Sequence, residues 1–232
     1  MKKTTYQDLG LIDYKKAWDY QEKLFAEIID IKIKNRSLTV ERQQRTPNYL
    51  LFCEHPHVFT LGKSGSENNL LVSMLELNKV NATYYKINRG GDITYHGPGQ
   101  IVGYPIIDLE NFNLDIRRYI FCIEEAIIKT LKEFNITSER LQGATGVWLD
   151  TTIPGKTRKI CAIGVKASRH VTMHGFAFNI NTDLKYFSMI NPCGFTDKAV
   201  TSLEKELCKK VEIEEVRSIL KDKLQEVFGF DY

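Results

Sequence analysis

The sequence predicts an α/β fold of mixed α+β layers, a mixed β-sheet flanked by helices. Three observations carry the prediction. Apolar residues at helical spacing mark long amphipathic segments near both ends and in the middle of the chain. Short runs rich in β-branched and aromatic residues mark strands between them. The two kinds interleave without a strict βαβα alternation, which disfavours a doubly wound parallel sheet.

Asp13 is placed to cap a helix running to about Lys34, with Tyr14, Ala17, Trp18, Phe25 and Ile28 as its apolar stripe. "NYLLFCEH" (48–55) and "HVFTLG" (57–62) read as strands split by Pro56. "VSMLELNK" (72–79) reads as a short helix, and "TYYKINR" (83–89) as a strand that leads into a glycine-rich loop. "QIVGYPIIDL" (100–109) reads as the strand leaving it. The clearest helix follows Asp115, where Ile116, Tyr119, Ile120, Ile123, Ile127, Leu131 and Phe134 keep the helical rhythm. "GVWLD" (146–150), "RKICAIGVK" (158–166) and "VTMHGFAFNI" (171–180) are strand-like, with Pro154-Gly155 turning the first into the second and "ASRH" (167–170) the second into the third. A C-terminal amphipathic helix turns Ile213, Val216, Ile219, Leu220 and Leu224 inward.

Composition narrows the function classes. The chain has 232 residues, enough for one large domain or one domain with a small appendage. At 43% apolar and 26% charged residues it is an ordinary globular sequence. Its apolar runs are too short to span a bilayer. "MKKTTYQDLG" is basic at first but lacks the apolar stretch of a signal peptide, so the protein is expected to stay in the cytoplasm. Cys53, Cys122, Cys161, Cys193 and Cys208 lie far apart without a CxxC pair, which argues against a disulfide framework or zinc knuckle. A net charge of +3 is too small to imply nucleic acid, although a local basic patch could still meet an acidic partner.

Two stretches stand out. In "RGGDITYHGPGQ" (89–100), Gly90, Gly91, Gly97 and Gly99 surround His96. No GxxxxGK[ST] phosphate loop occurs, and Pro98, Pro105 and the β-branched run after Gln100 point to a strand rather than the helix a dinucleotide site needs. Glycines also let backbone N–H groups approach a ligand, as in a cradle for a developing oxyanion; a plain hairpin turn is the alternative. In "INPCGF" (190–195), Cys193 sits on a loop between Pro192 and Gly194, whereas Cys53, Cys122 and Cys161 lie in apolar patterns and read as buried small hydrophobes. A nucleophilic thiol needs a base or a cation beside it. His55, His57, His96, His170 and His174 are available. So is Lys159, which strand alternation places on the face of Cys161, Ile163 and Val165, while Lys166 falls on the opposite face beside Ala162 and Gly164. Lys159 reads equally as a solvated strand-end lysine.

"RGGDITYHGPGQIVGYPIIDL", "GVWLD", "RKICAIGVK", "HGFAFNINTDL", "INPCGF" and "EHPHVFTLG" together resemble the octanoyltransferases of lipoate biosynthesis, in the expected order from about Leu51 to Ser202. The resemblance implies the fold of lipoate-protein and biotin protein ligases, in a single catalytic domain over residues 1–232, with the acyl chain in a tunnel. It implies transfer of octanoyl from octanoyl-acyl carrier protein to a lysine of lipoyl domains, those of 2-oxoacid dehydrogenase E2 subunits and the glycine cleavage H protein. By motif position it implies Cys193 as the acyl-carrying nucleophile and Lys159 beside it. It also implies substrate-binding segments Arg89, Gly90, Gly91, Asp92, Ile93, Thr94, Tyr95 and His96; Ala162, Ile163 and Gly164; and Gly175, Phe176 and Ala177. Asp92 is assigned no separate role, His96 is expected to position the acyl carbonyl or the attacking amine, and Gly164 is expected near an oxyanion-binding N–H. The thioester donor is already activated, so no cofactor, ATP or metal is expected, and neither nucleic acid nor a membrane is an expected partner. Arg117, Arg118, Lys156 and Arg158 are candidates for a basic rim facing an acidic carrier. Two other functions are considered: an ATP-dependent lipoate or biotin ligase, and a non-catalytic binder of lipoyl domains. The ligase relatives carry a longer RRxxGGG-type loop ending in His-Asp, whereas here one arginine precedes two glycines and Gly97 follows His96.

Overall fold

The computed structural model describes residues 2–191 and 198–232. Strand β1 (Thr5–Leu11) leads to helix α1 (Tyr14–Asn35), where the Asp13 carboxylate accepts the Lys16 N–H and Tyr14, Ala17, Gln21, Leu24, Phe25 and Ile28 form the buried face. Strands β2 (Tyr49–Glu54) and β3 (Val58–Leu61) follow, divided around Pro56. Helix α2 (Met74–Lys79) opens on a Ser73–Glu76 capping box. Strands β4 (Thr83–Lys86), β5 (Ile93–His96) and β6 (Gln100–Ile106) lead to α3 (Ile116–Glu133), capped by Asp115. Then come β7 (Glu139–Leu141), β8 (Ala144–Leu149), β9 (Arg158–Ser168), β10 (Val171–Asn179), β11 (Ala199–Val200), α4 (Leu203–Leu207) and α5 (Ile213–Phe228). Gly229, at φ 70°, takes the left-handed conformation that closes α5.

The larger sheet runs β1-β2-β6-β10-β9-β8-β7, with β11 beside β9, and the smaller runs β4-β3-β5. Both are mixed: β1 with β2, β3 with β4 and β9 with β11 are parallel, the other pairs antiparallel. Helices α3 and α5 cover one face of the large sheet, packing Ile123, Ile127, Leu220 and Leu224 against Phe52, Ile101, Phe176 and Phe178. Each such side chain removed from water contributes about 1.5–3 kcal/mol before the entropy of ordering it. On the other face α1 covers Leu51, Val102, Tyr104, Ile106 and Met173. The small sheet has its own cluster, with Phe59, Ile93 and Tyr95 against Leu77 of α2 and Ile190.

The mixed-layer fold and the main helices are as the sequence predicts. Strands β1, β5, β7 and β11 are additional, and β5 lies within the stretch read as a loop. The turn between β9 and β10 is tighter than "ASRH": only Arg169 and His170 lie outside the strands, at φ 52° and 62°. Two consecutive left-handed residues match the right-handed twist of a two-residue hairpin.

Candidate active site

A cavity of about 930 Å³ opens between the uncovered part of the large sheet and the small sheet. Its floor follows from the pleat. Gly175 faces Gly164 and Ala177 faces Ala162 across the β9–β10 ladder, so a strip without bulky side chains crosses two strands. Val102 and Tyr104 of β6 and Tyr14 of α1 continue the lining on one side, and Ile93, Thr94 and His96 of β5 line the other. All of the candidate substrate-binding residues but Tyr95 therefore meet at one cavity, including Ile163 and Phe176, which border it while packing on the α3 layer. Tyr95 does not line it. Alternation along β5 turns its ring away, to stack on Tyr186 at 4.8 Å, with its hydroxyl 2.7 Å from His57 Nδ1.

The Arg89–Asp92 turn is held against this floor by its own polar groups. Buried Arg89 donates from Nη2 to the Thr60 carbonyl (2.6 Å) and hydroxyl (3.1 Å). The Gly90 N–H donates to the Val165 carbonyl at 2.8 Å. A Cβ on Gly164 would lie 2.9 Å from the Gly90 carbonyl oxygen and 3.1 Å from Arg89 Cδ, so only glycine lets the turn approach this closely. Asp92, to which the sequence assigned no role, accepts from its own neighbour Ile93 N–H and from Asn69 Nδ2, both at 2.6 Å. Because the Val165 carbonyl points out of the sheet, residues of the same parity on β9, Ile163 included, turn their peptide groups to the same edge. The β8 ladder ends at the Val147–Cys161 pair, which leaves that edge of Ile163 beside the cavity. Gly164, by contrast, faces Gly175 within the ladder.

Lys159 is where simple alternation fails. Val147 pairs with Cys161 but Trp148 pairs with Lys159, so β9 carries one extra residue, Ile160, at a bulge. The bulge reverses the phase. Lys159 leaves the face of Val147, Leu149 and Cys161, which is packed under α3, and joins the face of Trp148. Its Nζ sits 4.4 Å from the Trp148 ring centroid, a cation–π distance, and it lines the cavity. Asn191 and Lys198, which flank the undescribed residues 192–197, line the same cavity. Cys193 lies outside the described residues.

Three of the other cysteines behave as small hydrophobes: Cys53, Cys122 and Cys161 are buried, and burial pushes all three thiols up, whereas Cys208 is exposed. Of the five histidines, His170 is exposed in the β9–β10 turn and His57 stacks on Tyr186. His55 Nδ1 donates to the Ile12 carbonyl while Nε2 accepts from the Tyr104 hydroxyl at 2.7 Å. Burial first, then neighbouring positive charge, holds His174 down at about 3. His174 is left-handed within β10 (φ 60°), a conformation that costs about 1–3 kcal/mol in a non-glycine residue. This diverts its N–H to Gln21 Oε1 at 3.0 Å.

Arg158 is not a rim cation: it is bound to Asp150 and Glu206. Lys198 and Lys205 are the lysines at the cavity besides Lys159, among the described residues, and periodicity gave no sign of them. Gln100 and Asn179 also line it and were missed. Each stands at a strand end of apolar pattern, where a lone amide reads as punctuation. One further contact reaches the site from afar. Glu54 at the end of β2 accepts the Gly99 N–H at 2.7 Å with one oxygen and faces Arg217 Nη2 of α5 at 3.4 Å with the other.

The sequence model of lipoyl protein ligase A/B catalytic domains matches residues 13–225, a span that includes the small-residue floor and the bulge at Lys159. An archaeal bipartite lipoate protein ligase from Thermoplasma acidophilum superposes with a TM-score of 0.70 at 15% identity, covering 100% of this chain and 86% of that one. A biotin protein ligase from Aquifex aeolicus does so with a TM-score of 0.51 at 13% identity, over 99% and 71% of the two chains. At these identities the likeness is one of fold. Sequence relatives are much nearer. An octanoyltransferase of Flavobacterium psychrophilum is 64% identical over 91% of this chain and 90% of its own length. One of Christiangramia forsetii is 59% identical over 98% and 96%. The chain belongs to the octanoyltransferase family and is an acyltransferase of protein lipoylation. No helix among the described residues is long and apolar enough to cross a membrane.

Proposed function

We propose that this enzyme, acting in the cytoplasm as a single catalytic domain, moves an octanoyl group from acyl carrier protein to a lysine of a lipoyl domain through a thioester on Cys193. The observation that supports this best is the bulge at Ile160, which turns Lys159 into the cavity whose rim also includes Asn191 and Lys198, the neighbours of the Cys193 segment. In the first half-reaction the Cys193 thiolate attacks the thioester carbonyl, the carrier thiolate leaves, and Lys159 takes up the cysteine proton or stabilises the thiolate. The outward N–H of Ile163 is the donor best placed for the oxyanion. In the second, the acceptor lysine amine attacks the acyl-enzyme, Lys159 assists its deprotonation, and Cys193 leaves as thiolate. The Arg89–His96, Ala162–Gly164 and Gly175–Ala177 segments wall the acyl chain, whose methylenes gain about 0.8 kcal/mol each on entering the apolar strip. The acceptors are lipoyl domains of 2-oxoacid dehydrogenase E2 subunits and the glycine cleavage H protein.

The test is intact mass after incubation with octanoyl-acyl carrier protein. The native chain gains one octanoyl group, and Cys193→Ala gains none. Lys159→Ala keeps its fold and loses about 100- to 10,000-fold in rate, the usual share of a positioned acid–base group. An adduct of unchanged size on Cys193→Ala rejects the assignment. Pyrophosphate release from ATP and free octanoate would replace it with ligase chemistry.

A further inference from the structure

Five polar side chains cross the cavity wall in one hydrogen-bonded file, and both ends fix its direction. At one end Asn179 Nδ2 donates to the Thr201 carbonyl at 3.0 Å. A carbonyl only accepts, so Asn179 must turn its own Oδ1 the other way, to Gln100 Nε2 at 2.8 Å. Gln100 Nε2 also donates to the Tyr95 carbonyl at 3.2 Å, which fixes the same amide orientation independently. Gln100 Oε1 therefore faces His96 Nδ1 at 2.9 Å and can only accept from it. At the other end stands Arg89, which only donates. Its Nη2 and Nε reach the Thr60 hydroxyl oxygen at 3.1 and 3.4 Å, which leaves the Thr60 proton for His96 Nε2 at 3.4 Å.

We propose that Gln100 and Asn179 are positioning residues of the acyl-transfer site: they hold His96 as the neutral tautomer protonated at Nδ1, and they tie the Arg89 turn to the strand beside Lys159. The second half of the proposal follows from the ends of the file. The Thr201 N–H donates to the Lys159 carbonyl at 2.9 Å, so one residue receives the file through its carbonyl and holds β9 through its N–H. Thr60, His96, Gln100 and Asn179 are all buried, where each broken link leaves an unpaired polar group. The groups facing His96 agree with a neutral ring. Tyr14 of α1 stacks on it at 5.9 Å, His55 meets it edge-on at 6.0 Å, and Arg89 and His174 add positive or neutral neighbours. Burial and these neighbours hold His96 down at about 3. Both ring nitrogens are thus engaged, and His96 serves acyl transfer through its ring and its hold on Thr60 rather than by exchanging a proton. The link to acyl transfer rests on the function proposed above; the tautomer does not.

Nitrogen-15 NMR of histidine-labelled protein at neutral pH tests the file directly, with His96 assigned by loss of its signal in His96→Asn. The expected pattern is a neutral ring with the proton on Nδ1. A proton on Nε2, or an imidazolium, overturns the proposal whatever the acyl-transfer assay shows. Gln100→Glu keeps the shape but sets an acceptor against Asn179 Oδ1 and the Tyr95 carbonyl, with a carboxylate beside His96. Its kcat is expected to fall about tenfold or more, by loss of one or two buried links. KM for the donor should move much less, and a new ionisation should appear in the pH profile as His96 becomes basic. A variant whose pH profile and His96 spectrum match the native protein overturns the positioning role. Should Gln100→Glu fail to fold, Thr60→Val removes the donor to Nε2, together with one acceptor of Arg89, and leaves the Gln100 side of the ring intact. It is expected to keep the proton on Nδ1, and a switch to Nε2 counts against the file.

Discussion

Alternate residues of β10 meet two different environments. Phe176 and Phe178 point into the layer under α3 and α5, a dry core of large side chains. Gly175 and Ala177 point the other way, onto the strip that floors the cavity, and Asn179 at the strand end joins the polar file there. The packed face is filled because its contribution is stability. The cavity face keeps glycine at 164 and 175 because a Cβ at either position would run into a neighbouring backbone carbonyl, that of Gly90 or of Gly103. The same strand thus separates the packed layer from the cavity, at a spacing of one residue.

Substitutions on the two faces should break apart accordingly. Phe178→Ala, on the packed face, is expected to lose about 3–5 kcal/mol of unfolding free energy by denaturant titration. The surviving folded fraction should still accept an octanoyl group. Ala177→Leu, one residue away, should unfold at nearly the native denaturant concentration but take up the donor about tenfold more weakly. That figure corresponds to displacing roughly two methylenes of the chain. A large stability loss in Ala177→Leu with unchanged donor binding would merge the two faces into one.

Acid sharpens the contrast. His55, His96 and His174 are buried near or on the cavity side and held down at about 4, 3 and 3 from 6.5. Between those values and 6.5 the unfolded chain binds more protons than the folded one, so stability rises with pH through this window and is lost as pH falls from about 6.5. The melting temperature should be level near neutrality and drop towards pH 4. Hydrogen exchange should quicken in α1 and the small sheet before α3 and α5. The smallest effect is expected for Lys129→Ala, which breaks the exposed pair with Glu226 between α3 and α5; the melting temperature should stay within experimental scatter.

Much of this site could be read from residue order, and the parts that could not share a cause. Helices α1 and α3 were legible because each has an aspartate cap and a long apolar stripe, both local signals. The glycine turn and the floor residues were legible as motifs. The face of Lys159 was not, because a bulge is set by pairing with β8 and leaves no mark in the alternation of β9 itself. Strand β1 was missed for a related reason: its residues are mostly half-buried or exposed, and it exists by parallel pairing with β2 some forty positions on. Gln100 and Asn179 were silent because the partner that gives each amide its meaning lies on another strand. Non-local pairing, not composition, is what the linear chain conceals.

Glu54 divides its two oxygens between Gly99 and Arg217, and this sets an order of events in the cell. When Gly99 is joined to the growing chain, Arg217 is still more than a hundred codons from being translated. At ordinary rates of chain elongation that gap lasts on the order of ten seconds. Over that interval the turn after His96 has its carboxylate but not the guanidinium that steadies it, so a nascent chain completes this corner of the pocket only when α5 docks.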